Sequence, residues 1–382
     1  MKKNSSVEPT TIARSSGSAT AAVAAPVEAV PARGHDAVVG LDVGDRHTHY
    51  CVLDLDGAVV GEGAIATKEA SLRLQFEGKP RLRIALEVGT HSPWVSRLLT
   101  QVGHEVLVAN PRKVRLISEN DSKRDRADAR LLARLAQVGP ALLSPIQHRS
   151  AEIQTDLALV RAREVAVQTR TKIVNAIRGI VKSTGQRLPG STTLTFAQKA
   201  RAACPDMLQP ALLPLLRLVE ALTDEIHAYD RLVTEKAAHD YPATKAIQSI
   251  NGVGALTALS FILVLNNDPE RFRRSRDVGC YVGLRPKQRE SGMSSPQLGI
   301  TKAGDPLLRR LATQSAQYIL GPFGRDSALR RWGLGLASRG GKNARKRAIV
   351  AVARKLVILM HRLWITQEEY DPMRGLMIRP AA

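Results

Sequence analysis

Acidic residues are scarce in this 382-residue chain, with 35 Asp and Glu against 56 Lys and Arg, a formal charge of +21. Aromatic residues are scarcer still at 4%, which argues against stacked single-stranded bases as the main binding mode. The three cysteines, Cys51, Cys204 and Cys280, are far apart and have no C-x-x-C spacing. That excludes a zinc ribbon or a disulfide framework and fits a reducing, cytoplasmic setting. No apolar run reaches the roughly 18 residues that cross a bilayer; even Ala348 to Met360 is broken by Arg354 and Lys355. The expectation is a soluble protein without a membrane partner.

What is present is length, apolar content and positive charge. A hydrophobic fraction of 44% supports the two or three domains that a prior of roughly 100–200 residues each predicts. So large a basic excess makes a polyanion the default partner, because each neutralised phosphate releases counterions whatever the base sequence. Duplex DNA is favoured over stacked strands. Residues 1–35, rich in Ser, Thr, Ala and Pro without a continuous apolar core, read as a disordered tail rather than a signal peptide.

Order begins at Ala37, where an apolar run reads as a buried strand carrying Asp42 near its end. Thr48 to Leu55 and Ala58 to Ala64 read as strands joined at Asp56-Gly57, the signature of a type I′ hairpin. Arg83 to Val88 is a second apolar run, with Glu87 near its end; a helix at Ser92 to Gln101 and a strand at Glu105 to Ala109 follow. The order suggests an α/β domain with a mixed sheet over residues 36–145. Downstream, Asp125 and Asp128 stand three apart on a helix packed by Leu131, Leu132 and Leu135.

A carboxylate at the end of an aliphatic strand is costly unless it is paired or binds a cation. Two strand acids and two helix acids supply hard oxygen ligands, which suit Mg²⁺ or Mn²⁺. Two-metal phosphoryl transfer uses such a set. The basic neighbours Lys123 and Arg124 are placed to hold a phosphodiester beside it.

Asp42 in Leu-Asp-Val-Gly, Glu87 in Leu-Glu-Val-Gly and Lys-Arg-Asp-Arg-Ala-Asp-Ala at 123–129 together resemble the RuvC-like domain of DEDD-type insertion-sequence transposases, the insertion sequence 110 family. Further on, Tyr281-Val-Gly-Leu-Arg-Pro, Ser291-Gly292, Ile300-Thr-Lys302-Ala-Gly and Leu308-Arg309-Arg310 resemble that family's C-terminal transposase domain. The resemblance implies an RNase H-like (RuvC-like) core whose metal ligands are Asp42, Glu87, Asp125 and Asp128. It also implies a nucleophilic serine at Ser291, with Ser294 and Ser295 as neighbouring alternatives. A noncoding guide RNA, a homo-oligomer (dimer or tetramer) and action at the nucleoid are further implications. The rival readings are a Holliday-junction-resolvase-like nuclease using water, an actin-like ATPase or sugar kinase, and a non-enzymatic DNA-binding protein.

Between the two resemblances, residues 146–240 read as a helical hairpin or coiled-coil spacer. One seam runs through Ile153, Leu157, Val160, Val167, Val174 and Val181, and a second through Leu215, Val219, Leu222, Ile226, Tyr229 and Val233. The domain at 241–366 reads as mainly helical. Its Asn251-Gly252-Val253-Gly254 resembles the turn of a helix-hairpin-helix, where backbone amides bind phosphate. Lys302, Arg309, Arg310, Lys342, Arg345, Lys346 and Arg347 are further candidates for nucleic-acid contact, and between Arg325 and Arg362 Asp326 is the only acid. A packing stripe is expected at Ile349, Val352, Leu356 and Leu359, and residues 367–382 read as a second tail.

Overall fold

The strands form where β-branched and aliphatic residues run together between turn residues. A computed structural model describes residues 35–110, 125–289 and 298–374. Residues 1–34 of the expected first tail, the basic pair Lys123 and Arg124, and the serines Ser291, Ser294 and Ser295 lie outside the described residues. The chain divides into two compact units between Ala158 and Leu159.

The first unit is built on β1 (Ala37–Val43), β2 (His47–Leu53), β3 (Val59–Ala66), β4 (Leu82–Glu87) and β5 (Glu105–Ala109). They form one mixed sheet in the order β3-β2-β1-β4-β5. β1, β2 and β3 are an antiparallel meander; β4 pairs parallel with β1, and β5 parallel with β4. Alternation along each strand sorts the faces. Val39, Leu41, Ile84, Leu86 and Val108 pack under α1 (Glu69–Phe76) and α2 (Ser92–Gln101). Val38, Ala85 and Ala109 meet α3 (Asp125–Val138) on the opposite face. Helices therefore cover both sides.

Two local expectations change. The β2–β3 connection is wider than a two-residue turn: the Asp54 carboxylate accepts from the amides of Asp56 (3.0 Å) and Ala58 (2.8 Å), and Asp54 N–H donates to Ala58 O at 3.0 Å. Gly57 takes the left-handed conformation inside that loop, at φ 86°. On α3 the residues buried against the sheet are Ala129, Leu132, Ala133 and Ala136, with Leu131 and Leu135 only half-buried. Small residues are selected here because the helix lies unusually close to the strands.

In the second unit α4 (Ala151–Ser183) packs beyond Leu159 against α6 (Gln209–His239), with α5 (Phe196–Ala202) closing one end. Arg163 meets Asp230 at 2.6 Å and Arg170 donates to Thr223 at 3.2 Å. Seven residues forward on one helix match seven back on the other, so the pair is antiparallel. The buried apolar residues of α6 are Leu212, Leu216, Val219, Ile226, Val233 and Ala237. The seam therefore steps through Thr223 and Asp230, and not through Leu222 and Tyr229. Arginines of α4 satisfy the two polar slots, which is why apolar periodicity alone points one residue aside.

Around α12 (Ala344–Thr366) pack α7 (Thr244–Gln248), α9 (Ser275–Tyr281), α10 (Pro306–Leu320) and α11 (Ala328–Ala337). α8 (Ala255–Val264), almost wholly apolar, is buried between α6, α7 and α10. On α12 the fully buried positions are Ala348, Val352, Ala353, Leu356, Val357, Met360 and His361; the predicted Ile349 and Leu359 are half-buried. No helix among the described residues is long and apolar enough to cross a membrane.

Candidate active site and nucleic-acid interface

Asp42 is two residues beyond Gly40 on β1, and Glu87 two beyond Ala85 on β4. Gly40 and Ala85 face α3, so period-two alternation turns both acids to the same face. The parallel register pairs Leu41 with Leu86, which makes Asp42 and Glu87 neighbours across the sheet at the C-terminal end of their strands.

A glycine sets the third element. A Cβ at position 40 would lie 1.9 Å from Ala129 O and 2.6 Å from Ala133 N, so only glycine lets the α3 backbone rest on β1. Farther along α3, Gln137 Nε2 donates to Asp54 O (2.9 Å) and Leu55 O (3.1 Å) at the opposite end of the sheet. The helix therefore runs antiparallel to β1, its first turn toward Asp42. Four residues of helix rise about 6 Å and two of strand about 6.6 Å, so the step from Ala129 back to Asp125 matches the step from Gly40 to Asp42. Asp128, half-buried, adjoins the contact residue Ala129. Asp125 is the first residue of α3, and its side chain lies outside the description.

The sheet thus brings Asp42, Glu87 and Asp128 to one face and one end. Among the described residues no three His, Cys, Asp or Glu side chains are gathered closely enough to hold a metal ion. The donor chemistry is all-carboxylate, which fits a hard divalent cation. Sequence reasoning passed over His49. It pairs with Asp42 across the β1–β2 ladder, so its side chain shares that face; the strand alternation His47-Thr48-His49 is the signal that could have found it.

Ion pairing and loop contacts fix this end. Arg130 of α3 reaches Glu62 of β3 at 2.7 Å, and that hydrogen bond holds the Glu62 carboxyl below the usual carboxylate range. Cys51 is buried beside this pair, and burial pushes its thiol up to about 11. The loops after β1 and β4 meet where His91 Nε2 approaches Asp45 at 3.3 Å. Ser92 Oγ bonds Gly89 through its N–H (3.0 Å) and its carbonyl (2.8 Å) and lies 2.9 Å from His148 Nε2.

In the second unit the basic candidates separate into two groups. Lys342, Arg345, Lys346 and Arg347 are exposed, and the first turn of α12 holds no acid. Cations there oppose the helix dipole and invite an anion. Lys302 is exposed too, in a left-handed conformation at φ 55°. Arg309 and Arg310, in contrast, are engaged internally. Arg309 Nη1 donates to Val282 O (3.0 Å) and Ala303 O (2.7 Å), and Arg310 pairs with Glu164 of α4. Both side chains therefore hold contacts inside the second unit, which Lys302 and the Lys342–Arg347 cluster do not.

Arg309 secures a backbone clasp. A Cβ on Gly283 would fall 2.0 Å from Ala303 O, and one on Gly304 2.0 Å from Tyr281 O. Both glycines are left-handed, at φ 77° and 73°. Beside the clasp, Pro286 bridges Ile300 and Lys287 N–H donates to Gly299 O at 2.9 Å. In the candidate phosphate turn, Gly252 (φ 93°) packs on Tyr318, whose Cδ1 would be 2.8 Å from an added Cβ, while Gly254 is exposed at the start of α8.

Sequence comparison decides the family. The DEDD-type IS110 transposase model matches residues 39–185, which hold all four acids, and the model described as transposase IS116/IS110/IS902 family matches residues 244–320. The chain is 30% identical to the transposase-class protein y4pF/y4sB of Sinorhizobium fredii, over 88% of this chain and 86% of that one. The chain belongs to the IS110 family of transposases. Other relatives of this IS110-family chain are the transposase for insertion sequence element IS1111A of Coxiella burnetii and that for IS1328 of Yersinia enterocolitica. The first is 29% identical, covering 87% of this chain and 91% of the relative; the second is 28% identical, covering 74% and 84%.

Proposed function

We propose that this chain is the transposase of a mobile element, a recombinase that cuts and rejoins DNA through metal-assisted attack of Ser291 on phosphodiesters. The observation that carries the reading is the shared face and strand end of Asp42, Glu87 and Asp128, set by the close approach of α3 at Gly40. The strand order, three antiparallel then two parallel, supports an RNase H-like, RuvC-like core in residues 36–145. Residues 146–240 are then the spacer and 241–366 the serine-bearing domain.

In this reading Asp42, Glu87, Asp128 and Asp125 hold Mg²⁺ or Mn²⁺. When bound, the ions stabilise the charge that develops on the attacking and leaving oxygens. His49 stands beside Asp42 and orients it. The Ser291 Oγ–phosphorus bond forms as one ester bond of the backbone breaks, the hydroxyl proton is released, and the freed oxygen takes up a proton. Rejoining reverses each step, so the energy of the phosphodiester is kept without ATP. Lys302 and the cluster from Lys342 to Arg347 hold the DNA backbone, with Lys123, Arg124 and the Gly252–Gly254 turn. Family likeness supports a noncoding guide RNA, a homo-oligomer and action on DNA in the cytoplasm.

The test is recombination of element-end and target DNA with Mg²⁺, with candidate RNA added or withheld, comparing the parent with Asp42→Ala and Ser291→Ala. Both variants are expected to lose activity while still binding DNA. Recombination retained by either overturns the assignment of that residue. Cleavage kept by Ser291→Ala and lost by Asp42→Ala would select the water-using nuclease instead.

A further inference from the structure

An aromatic side chain held out into solvent on a stiff loop is unusual in a chain with so few aromatics. Phe323 is 78% exposed and Tyr318, two residues before the end of α10, is 43% exposed. Single exposed apolar residues need no explanation; what matters here is how the loop is built. Arg330 Nη1 donates to Gly321 O at 2.7 Å and also to Ile319 O, closing the carbonyl end of α10. Gly324 fits so tightly that a Cβ would be 2.1 Å from Ile319 O. Arg325 N–H donates to the Asn251 side chain at 3.2 Å, tying the loop to the candidate phosphate turn, on whose Gly252 the Tyr318 ring already packs. Pro322 further limits the backbone. The Phe323 ring is thus presented, not left over.

We infer that Phe323 is a stacking wedge for an unpaired or unstacked base of DNA. This rests on the reading that the chain acts on DNA. Charge favours that occupant over a protein surface. Arg325, two residues along the chain, is exposed, and Asp326, the one acid from 325 to 362, is neutralised by Arg331 through a hydrogen bond of 2.9 Å. Apolar wedges inserted at a base step cost unstacking, which a rigid presentation and adjacent phosphate contacts offset. Strand exchange creates such unpaired bases, whereas an intact duplex offers none.

The experiment measures binding by the full-length protein in chelator, so that no cleavage intervenes. The probes are a fully paired duplex and the same duplex with one unpaired adenine replaced by 2-aminopurine. Phe323→Ala is expected to weaken binding to the interrupted duplex roughly 5- to 150-fold, the span of one base–aromatic stack, and to change paired-duplex affinity less than about twofold. Quenching of 2-aminopurine on binding should vanish with Phe323→Ala and persist with Phe323→Trp. Equal affinity of parent and Phe323→Ala for both probes overturns the wedge alone, as does equal weakening on both. Loss confined to an RNA version of the probe overturns DNA as the occupant. Failure of the parent to bind any DNA overturns the broader reading with it.

Discussion

Gly40 and Ala129 are in backbone contact, so close that an added methyl at position 40 would stand 1.9 Å from the Ala129 carbonyl oxygen. That contact sets the height of α3 above the sheet and, one residue before it, the place of Asp128. Gly40→Ala must push α3 outward. The expected cost is about 1–3 kcal/mol of stability, as for other overpacked sites, with metal-dependent DNA cleavage falling further than DNA binding. Gly61→Ala, where the nearest atom to the new methyl is 3.9 Å away, is the control. Calorimetry and a cleavage assay on both variants decide it; full cleavage by Gly40→Ala would mean that α3 does not place the acids.

The basic residues of the second unit should divide by salt dependence. Removing Lys342, Arg345, Lys346 and Arg347 together should lower the slope of log K against log salt by about 3–4, near 0.9 per lost phosphate contact. Arg309→Met should leave that slope unchanged. It should instead destabilise the chain by about 2–3 kcal/mol, because the carbonyls of Val282 and Ala303 lose a charged donor. A changed slope with unchanged stability for Arg309→Met would restore its role in DNA binding.

This contrast also marks where sequence reasoning stops. The run from β1 through β5 was legible because each strand is an aliphatic block ended by turn residues, and α2 and β5 fall at Ser92–Gln101 and Glu105–Ala109 as the periodicity predicts. Asp42 and Glu87 stood out as acids ending apolar runs. Partnership was not legible. Arg309 and Lys342 are equivalent as letters, and only the tertiary fold shows one ending on two carbonyls and the other in solvent. The α6 seam failed for the same reason: Leu222 looks like core and Asp230 like surface until Arg163 arrives opposite.

That seam gives a third expectation. Asp230→Leu leaves the Arg163 guanidinium, 17% exposed, without its carboxylate. The single substitution should cost about 1–2 kcal/mol in denaturant unfolding, given that the carboxylate itself is partly solvated. Arg163→Leu combined with Asp230→Leu should recover most of it, since a wholly apolar seam needs no ion pair. Additive losses in the double variant would show that the two residues do not stabilise the hairpin through each other.

Acid sensitivity should come in part from His361. Its ring is fully buried, with Nδ1 3.0 Å from Ser275 Oγ and Nε2 3.0 Å from Pro269 O. The Pro269 carbonyl accepts from Nε2–H, and in the neutral ring Nδ1 accepts from the Ser275 hydroxyl. Burial lowers its pKa below the ordinary 6.5, with the Pro269 carbonyl opposing part of the shift. The sign follows from linkage: below pH 6.5 the unfolded chain binds a proton that the folded ring refuses, so stability falls with pH until the folded ring itself titrates. His148, lowered by burial and then by Arg97 and Arg149, adds a parallel loss in the first unit. His361→Gln should therefore be less stable than the parent at neutral pH but lose less between about pH 7 and pH 5. Unfolding free energies of both proteins across that range test it, and parallel curves would remove His361 from the acid response.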